Sequence, residues 1–439
     1  LARLAGKKSQ EYIAAVMLAF ALVLAIQSLF IHPLSDFGQF DGSVVNFRKF
    51  GGWFWLEWTA FLALLALFTW KFSRLNPVPR LLVWTPLMLF TLLWLPATFS
   101  LQGASGQREA FDDRVFEFSS ERNIIHLLPD GLQGDIVEQV FRENPELAGA
   151  FSGFTLFTDH LGMYHGTAPA IPTLLTGIPF DFEQGHNYEW ITPHIEARSY
   201  QNELAEQGFE LDLVHIDPAY CISTARSCVS RPFSDWKSRG YTREKSDNLL
   251  YSIKLVTDLS LYRLLPAYFK EKIHNDGNWL FACSSMDGAS PWPDPVIREW
   301  VDRMVVGTDQ SRYKWYHYIG THKPPFWRAD CERAQSALPR TRAFFLEQAE
   351  CVLSGIAGLL SKLETEGIYE QTAIIISADH GSDIAPADMP EDPESIALPA
   401  ELMGTARPVL LVKPLLASHP LEFDEMPTRL TDVASLALV

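Results

Sequence analysis

Ala373-Ile374-Ile375-Ile376 runs through Ser377-Ala378 into Asp379-His380-Gly381, and no other stretch limits the fold as much. A short apolar run stopped by a turn signal predicts a parallel strand buried on both faces. Open α/β sheets place their ligand sites beyond the carboxyl ends of such strands. A carboxylate and an imidazole at that spot offer oxygen and nitrogen donors, which suit a divalent metal such as zinc or manganese. By itself the pair is weak evidence, since a turn-forming aspartate and a hydrogen-bonded core histidine look the same.

Three further segments repeat the pattern. Asn123-Ile124-Ile125-His126-Leu127-Leu128-Pro129 ends in Asp130-Gly131, again an apolar strand closed by an acid and a glycine. In Gly166-Thr167-Ala168-Pro169-Ala170-Ile171-Pro172 a hydroxyl follows a glycine and opens a helical turn. Free N–H groups at a helix start favour anions and help lower a hydroxyl's pKa. His317-Tyr318-Ile319-Gly320-Thr321-His322-Lys323-Pro324-Pro325 carries an aromatic-rich strand into a turn bearing His322. Between these segments strand and helix signals alternate: strands at 123–128, 154–157, 211–216, 315–319, 374–377 and 409–412, helices at 134–142, 200–208, 251–269 and 341–364. Such alternation predicts a mostly parallel sheet covered by helices.

The first hundred residues are of another kind. Stretches 12–31, 51–70 and 81–101 are apolar and long enough to span a bilayer, which takes about 20 helical residues. Arg3, Lys7 and Lys8 precede the first, and Lys71, Arg74 and Arg80 separate the second from the third. The positive-inside rule puts both groups in the cytoplasm, so three spans deliver everything after Leu101 to the extracytoplasmic side. Arg48 and Lys49 fall on the wrong side of that scheme. Glu57, among Trp53, Trp55 and Trp58, either reaches headgroup water or grips a lipid head group. The predicted organisation is a membrane domain over 1–101, a polar linker over 102–121 and a catalytic domain over 122–439. Because the chain begins with Leu and ends on a helix-like segment, residues are expected beyond both ends.

The formal net charge of −17 argues against a nucleic-acid partner, which needs a basic face. It does not exclude an anionic substrate, because a bound metal dominates its local field. All five cysteines fall in the exported part, where disulfides form. Cys221 and Cys228 suit a local bridge, and Cys331 and Cys351, or either with Cys283, suit another.

Taken together and in this order, the four motifs resemble the alkaline phosphatase superfamily. The resemblance is nearest to its membrane-bound, sulfatase-like branch of lipoteichoic acid synthases and phosphoethanolamine and phosphoglycerol transferases. It covers roughly residues 120 to 439 and implies an α/β/α sandwich with a mostly parallel sheet. It also implies that Asp130, Thr167, Asp379 and His380 hold one divalent metal, zinc or manganese, with calcium or magnesium as alternatives. Thr167 falls on the nucleophile, five residues before Pro172, and His322 on a phosphate-binding or transition-state group. His317 matches a second histidine found in some relatives and is a candidate substrate contact, with a packed, satisfied strand histidine as the equal alternative. His165, His186 and His160 are candidate substrate contacts by their nearness to Thr167 in sequence. Lys323 is a candidate phosphate ligand or a solvated charge.

The departures narrow the chemistry. Position 130 is Asp, where phosphoethanolamine transferases have Glu. After Gly381 come Ser382-Asp383-Ile384-Ala385-Pro386, with no Glu-Ser and no histidine close behind, so a second metal position has no evident ligands. Thr167-Ala168-Pro169-Ala170-Ile171 lacks the convertible Cys or Ser and the arginine of a sulfatase signature, which disfavours sulfate ester hydrolysis. The resemblance implies a phosphotransferase that moves a phospholipid head group to an envelope glycan or lipid through a phosphothreonine. It places that enzyme in a bacterial-type plasma membrane with a periplasmic catalytic domain. A metal-dependent envelope hydrolase is one rival, and a non-catalytic lipid sensor or scaffold is another.

Overall fold

The computed structural model describes residues 7–32, 53–74, 113–184, 188–215, 218–230, 248–275, 279–281, 294–334, 338–388 and 400–438. They separate into two compact units, one made of 1–108 with 245–287 and the other of 109–244 with 288–439.

The second unit is an α/β/α sandwich on an eight-stranded sheet. Its strands in chain order are β1 (Asn123–Pro129), β2 (Thr155–Phe157), β3 (Glu210–His215), β4 (Ser227–Ser230), β5 (Arg312–Tyr318), β6 (Thr372–Ser377), β7 (Leu410–Lys413) and β8 (Glu422–Asp424). Their spatial order is β8-β2-β7-β6-β1-β5-β3-β4, and β7 alone among them runs against its neighbours. The sheet is therefore mostly parallel, as the alternating pattern predicts. Every residue of β1 is buried, because the strand sits mid-sheet between β6 and β5.

The pleat sends alternate residues to opposite layers. Ile125, Leu127, Ile374 and Ile376 meet the helices Gly134–Glu143, Pro295–Arg303 and Arg342–Thr365. Ile124, Leu128 and Ile375 face the helices Thr167–Thr176, Tyr188–Arg198 and Tyr200–Glu206. Among the described residues one helix, Arg342–Thr365, is long and apolar enough to cross a membrane. It is a core helix, since Val352, Leu353, Ile356, Leu359, Leu360 and Leu363 are buried in the first layer. Disulfides join Cys221 to Cys228 and Cys331 to Cys351; Cys283 lies outside the described residues.

The first unit contains the helices Lys7–Ile26 and Trp53–Ser73, on the first two apolar stretches, which pack against each other through Phe20 and Phe61 among others. The third stretch, 81–101, lies outside the described residues. Two helices from the middle of the chain join this unit, Asn248–Leu264 and Ala267–His274. The sequence pattern predicts a single helix there, over 251–269. Pro266 divides it, because a proline inside a helix removes a donor and clashes with the preceding turn. Glu57 then takes a role that neither reading gave it. It accepts from the Ala267 N–H at 2.9 Å and from the Gln27 side-chain amide, so it caps the helix that Pro266 begins. Trp58 packs on Phe269 beside it, with ring centroids 5.2 Å apart.

Candidate metal centre

The site is assembled by three loops at the carboxyl ends of β1, β5 and β6. Asp130 follows the last residue of β1, and its N–H still donates to the Tyr318 carbonyl of β5, at 2.9 Å. That bond fixes where the carboxylate leaves the sheet. Gly131 then turns the chain with φ of +72°, a conformation a side chain would strain. The turn exposes backbone groups that the other loops use. Gly131 N–H donates to Asp379 Oδ1 at 3.2 Å, and its carbonyl accepts from Ser382 Oγ at 2.7 Å. Thr321 Oγ1 donates to the Asp130 carbonyl at 2.7 Å. Past His380, Gly381 lies so close to the Gly404 carbonyl that a Cβ would come within 2.2 Å of it.

Four groups surround the Asp130 carboxylate. His380 Nε2 lies 3.4 Å from Oδ1, and His322 Nε2 lies 4.0 Å from the same oxygen. Thr167 Oγ1 donates to Oδ2 at 3.3 Å, and His317 Nε2 is 3.5 Å from Oδ2. Asp379 Oδ2 is 3.5 Å from His380 Nε2. Thr167 is the first residue of its helix, with Gly166 in extended conformation before it, so its hydroxyl sits at the end that favours negative charge. The structure thus brings Asp130, Thr167, Asp379, His380, His322 and His317 into one cluster.

Its electrostatics are unusual for a dry place. Asp130, Asp379, His380 and His317 are all buried, yet Asp130 Oδ1, Asp379 Oδ2 and both His317 nitrogens have no hydrogen-bond partner. Orphaned buried polar atoms each cost about 1–3 kcal/mol, so such a group calls for a missing occupant. Burial pushes the Asp130 carboxyl up, but His322, His317 and His380 outweigh it and hold the acid well below the usual range. Burial disfavours charge on His380 too. Asp379 and Asp130 overcome it, so the imidazole is raised above the ordinary histidine value.

A divalent cation fits this donor set. His380 Nδ1–H donates to the Gly381 carbonyl at 2.8 Å, which leaves the Nε2 lone pair facing Asp130 and Asp379. A carbonyl that accepts from the far ring nitrogen and so fixes the tautomer is the usual partner of a metal-binding histidine. Separations of 3.4 and 3.5 Å are long for hydrogen bonds. They match the edge of a coordination tetrahedron, about 3.3 Å for bonds of about 2.0–2.1 Å.

The remaining candidates are not among the groups around Asp130, although the Lys323 cation is near enough to His380 to oppose its charge. Lys323 Nζ lies 3.6 Å from Asp383 Oδ2, an ion pair shared with Arg340. His165 is exposed and is not among the groups around Asp130, and His186 lies outside the described residues. His160 is buried, with Nδ1 2.9 Å from Thr428 Oγ1, a structural contact. Thr321 and Ser382, which tie the loops together, carried no signal of their own. Only their places inside Gly-Thr-His and Asp-His-Gly-Ser pointed to them.

Residues 122–402 match the sulfatase family. No curated protein matches the chain. Solved structures similar to it include the phosphonate monoester hydrolase of Silicibacter pomeroyi, 14% identical with a TM-score of 0.44, covering 72% of this chain and 72% of that one. The lipooligosaccharide phosphoethanolamine transferase A of Neisseria meningitidis is 12% identical with a TM-score of 0.41, over 88% of this chain and 69% of that one. The C-terminal periplasmic domain of EptC from Escherichia coli, in complex with zinc, is 10% identical with a TM-score of 0.41, over 72% and 80%.

Proposed function

Because the chain belongs to the sulfatase family, among the metal-dependent hydrolases and transferases of the alkaline phosphatase superfamily, we propose that it is a membrane-anchored phosphotransferase. It would move a phospholipid head group, of phosphoethanolamine or phosphoglycerol type, to an envelope glycan or lipid. The observation that carries this reading is a hydroxyl at a helix start, 3.3 Å from one oxygen of a buried carboxylate whose other oxygen has no hydrogen-bond partner.

Asp130, Asp379 and His380, with Thr167 Oγ1, would hold the metal, zinc or manganese. When bound, it supplies a Lewis acid that lowers the hydroxyl's pKa and offsets charge on the phosphoryl oxygens. Asp130 Oδ2 holds the Thr167 hydroxyl in place. Thr167 Oγ1 gives its proton to solvent water, to be recovered when it is freed, and attacks the phosphodiester phosphorus; the Thr–O–P bond forms and the P–O bond to diacylglycerol breaks. Protonated His322 gives its Nε2 proton to the departing alkoxide, while Nδ1–H stays on the Lys323 carbonyl, at 2.7 Å. Neutral His322 then takes the proton of the acceptor hydroxyl, which attacks phosphorus and frees Thr167.

The anchor reading is supported by the helices Lys7–Ile26 and Trp53–Ser73. They leave Ile13, Met17, Phe20, Leu56, Leu62 and Leu67 exposed, a surface suited to lipid. An anchor confines the enzyme and a lipid donor to one plane, on the extracytoplasmic side if the positive-inside reading holds. In this proposal residues 1–101 form the membrane domain, 102–121 the linker and 122–439 the periplasmic catalytic domain.

The test uses the full chain in vesicles with phospholipid labelled in its head group and envelope glycan as acceptor. Transfer labels the glycan, releases diacylglycerol and leaves a head-group phosphoester on the Thr167 peptide, seen by mass spectrometry. Free labelled head group with unlabelled glycan would make the chain a hydrolase instead. Unchanged activity in Thr167→Ala would end the covalent mechanism.

A further inference from the structure

We infer that Gln348, on the helix Arg342–Thr365, is a positioning residue that aims His322 for its proton transfer. The inference rests on the proposed role of His322 as the acid toward the departing alkoxide, and adds the group that holds it in line.

His322 is held from two sides. Upstream, Thr321 Oγ1 donates to the Asp130 carbonyl at 2.7 Å, which ties the loop to the end of β1. Downstream come Lys323, Pro324, Pro325 and Phe326. The two prolines carry no N–H and have a narrow range of φ, so they pass position along stiffly and offer no donor. The first backbone donor beyond Lys323 is therefore that of Phe326, and it goes to Gln348 Oε1 at 2.8 Å. The Trp327 N–H reaches the same oxygen at 3.4 Å. Both partners are donors, so the amide oxygen must be the atom that faces them.

Gln348 is only 2% exposed, and its helix buries Phe345, Ala349 and Val352 around it. A polar side chain in a core costs stability unless its bonds are made, and its Nε2 has no hydrogen-bond partner. A leucine would fill the place without that orphaned nitrogen; what it could not do is hold the loop. The same side chain lines a small cavity with Gly131, Thr321 and Ser382, the residues that tie the site loops together. Other links to this helix act farther from His322. Arg328 meets Glu347 at 3.1 Å, a partly exposed pair worth little, and the disulfide joins the helix at Cys331. Pro325 and Phe326 accept from Leu338 and Ala334, which belong to the same loop and stiffen it without anchoring it. Misplacing a reacting group by about 1 Å can cost about 10²-fold in rate.

The experiment varies the leaving group. The full chain in vesicles is given two donors with the same head group, of phosphoethanolamine or phosphoglycerol type. One is a diacyl phospholipid and the other a p-nitrophenyl ester, whose phenolate departs without a proton. Both are run on one sample, so the ratio of their rates does not depend on the folded fraction. Gln348→Met keeps the length of the side chain and removes the acceptor. It should lose about 10²-fold on the lipid and little on the nitrophenyl ester. Gln348→Glu keeps the acceptor, gives up only the unpartnered nitrogen, and should recover most of the lipid rate. Gln348→Asn, one carbon shorter, should shift the ratio in the same direction and serves if Gln348→Met does not fold. His322→Ala should show the same selective loss on the lipid. Equal losses on both donors in the Gln348 variants, or no loss on either, overturn the inference; the acid role of His322 stands if its own variant stays selective. Equal losses in His322→Ala would end that role and the inference with it.

Discussion

The two ends of β5 are equally dry and are closed in opposite ways. Near its start, Lys314 is wholly buried with Nζ 2.5 Å from Asp212 Oδ2. Arg226 reaches both Asp212 oxygens, at 2.9 and 2.7 Å, and continues to Glu117 at 2.7 Å. Lys314, Arg226 and Asp212 each meet an opposite charge from within the chain. Near the other end, His317, Asp130 and Asp379 are as deeply buried, yet polar atoms on each lack a partner. Burial of a charge is tolerable only if something compensates it. One end is compensated by the fold, and the other gathers polar atoms to which the fold gives no partner. That contrast separates a structural cluster from a functional one more sharply than burial or residue type.

The comparison predicts that changes at the two ends fail differently. At the functional end, Thr167→Ala should lower transfer by about 10⁴-fold or more, as loss of a nucleophile does. Melting temperature should hardly change, and metal-induced stabilisation should fall only in part, since Asp130, Asp379 and His380 remain. Melting curves with and without Mn²⁺, run beside the labelled-lipid assay, check this. At the structural end, Lys314→Ala removes one of the two cations on Asp212, leaving Arg226 alone, and should cost about 1–3 kcal/mol of stability. Urea unfolding would read that loss, while manganese per folded chain stays at the wild-type value. A Lys314→Ala chain that lost metal and kept its stability would erase the distinction.

A third buried acid widens the comparison. Asp294 precedes the helix Pro295–Arg303, and its Oδ2 packs so close to Gly355 that a Cβ there would lie 2.0 Å away. Burial pushes its carboxyl up to about 8, so at neutral pH it is mostly protonated. Three solutions to one problem thus coexist: Asp212 is matched by cations of the chain, Asp294 keeps its proton, and Asp130 and Asp379 are, in the function proposed above, matched by a metal. Because the folded value is raised, the stabilisation is complete below the unfolded value near 4. It is lost as pH rises toward 8, by roughly 1.4 kcal/mol per unit of pH. Asp294→Asn should flatten that part of the stability profile, measured as melting temperature from pH 5 to 8.

These differences were only partly legible beforehand. Asp130, Thr167, Asp379 and His380 stand at points where a local pattern changes, from strand to turn or from glycine to helix, and local changes can be read along one chain. The Asp212–Lys314 pair joins residues 102 positions apart through strand register. No local pattern carries register between separate strands. His317 suffered the same blindness. In sequence it is one more residue in an aromatic strand, and only its pairing with Leu128 places it beside Asp130. Glu57 was misread because its partner, the Ala267 N–H, is 210 positions away. The segment that brings it carries no marker that it folds against the N-terminal helices.

The mildest effect tests whether the orphan end behaves as a cation site at all. His380 must lose its Nε2 proton to act as a ligand, and Asp379 and Asp130 raise its pKa above the ordinary 6.5. In the metal-free chain the raised value stabilises the fold below pH 6.5, and that contribution is lost as pH rises through the folded value. Metal binding has the opposite sign, because proton and cation compete for one lone pair. Apparent Mn²⁺ affinity should therefore weaken about tenfold for each pH unit below the folded value, beginning above pH 6.5. Calorimetric titration at several pH values, in buffers of different ionisation enthalpy, should show about one proton released per cation at the acidic end. His380→Ala should bind weakly and without that release. Lys314→Ala, for all its lost stability, should keep the wild-type slope, because its charge answers to Asp212 and not to the ion.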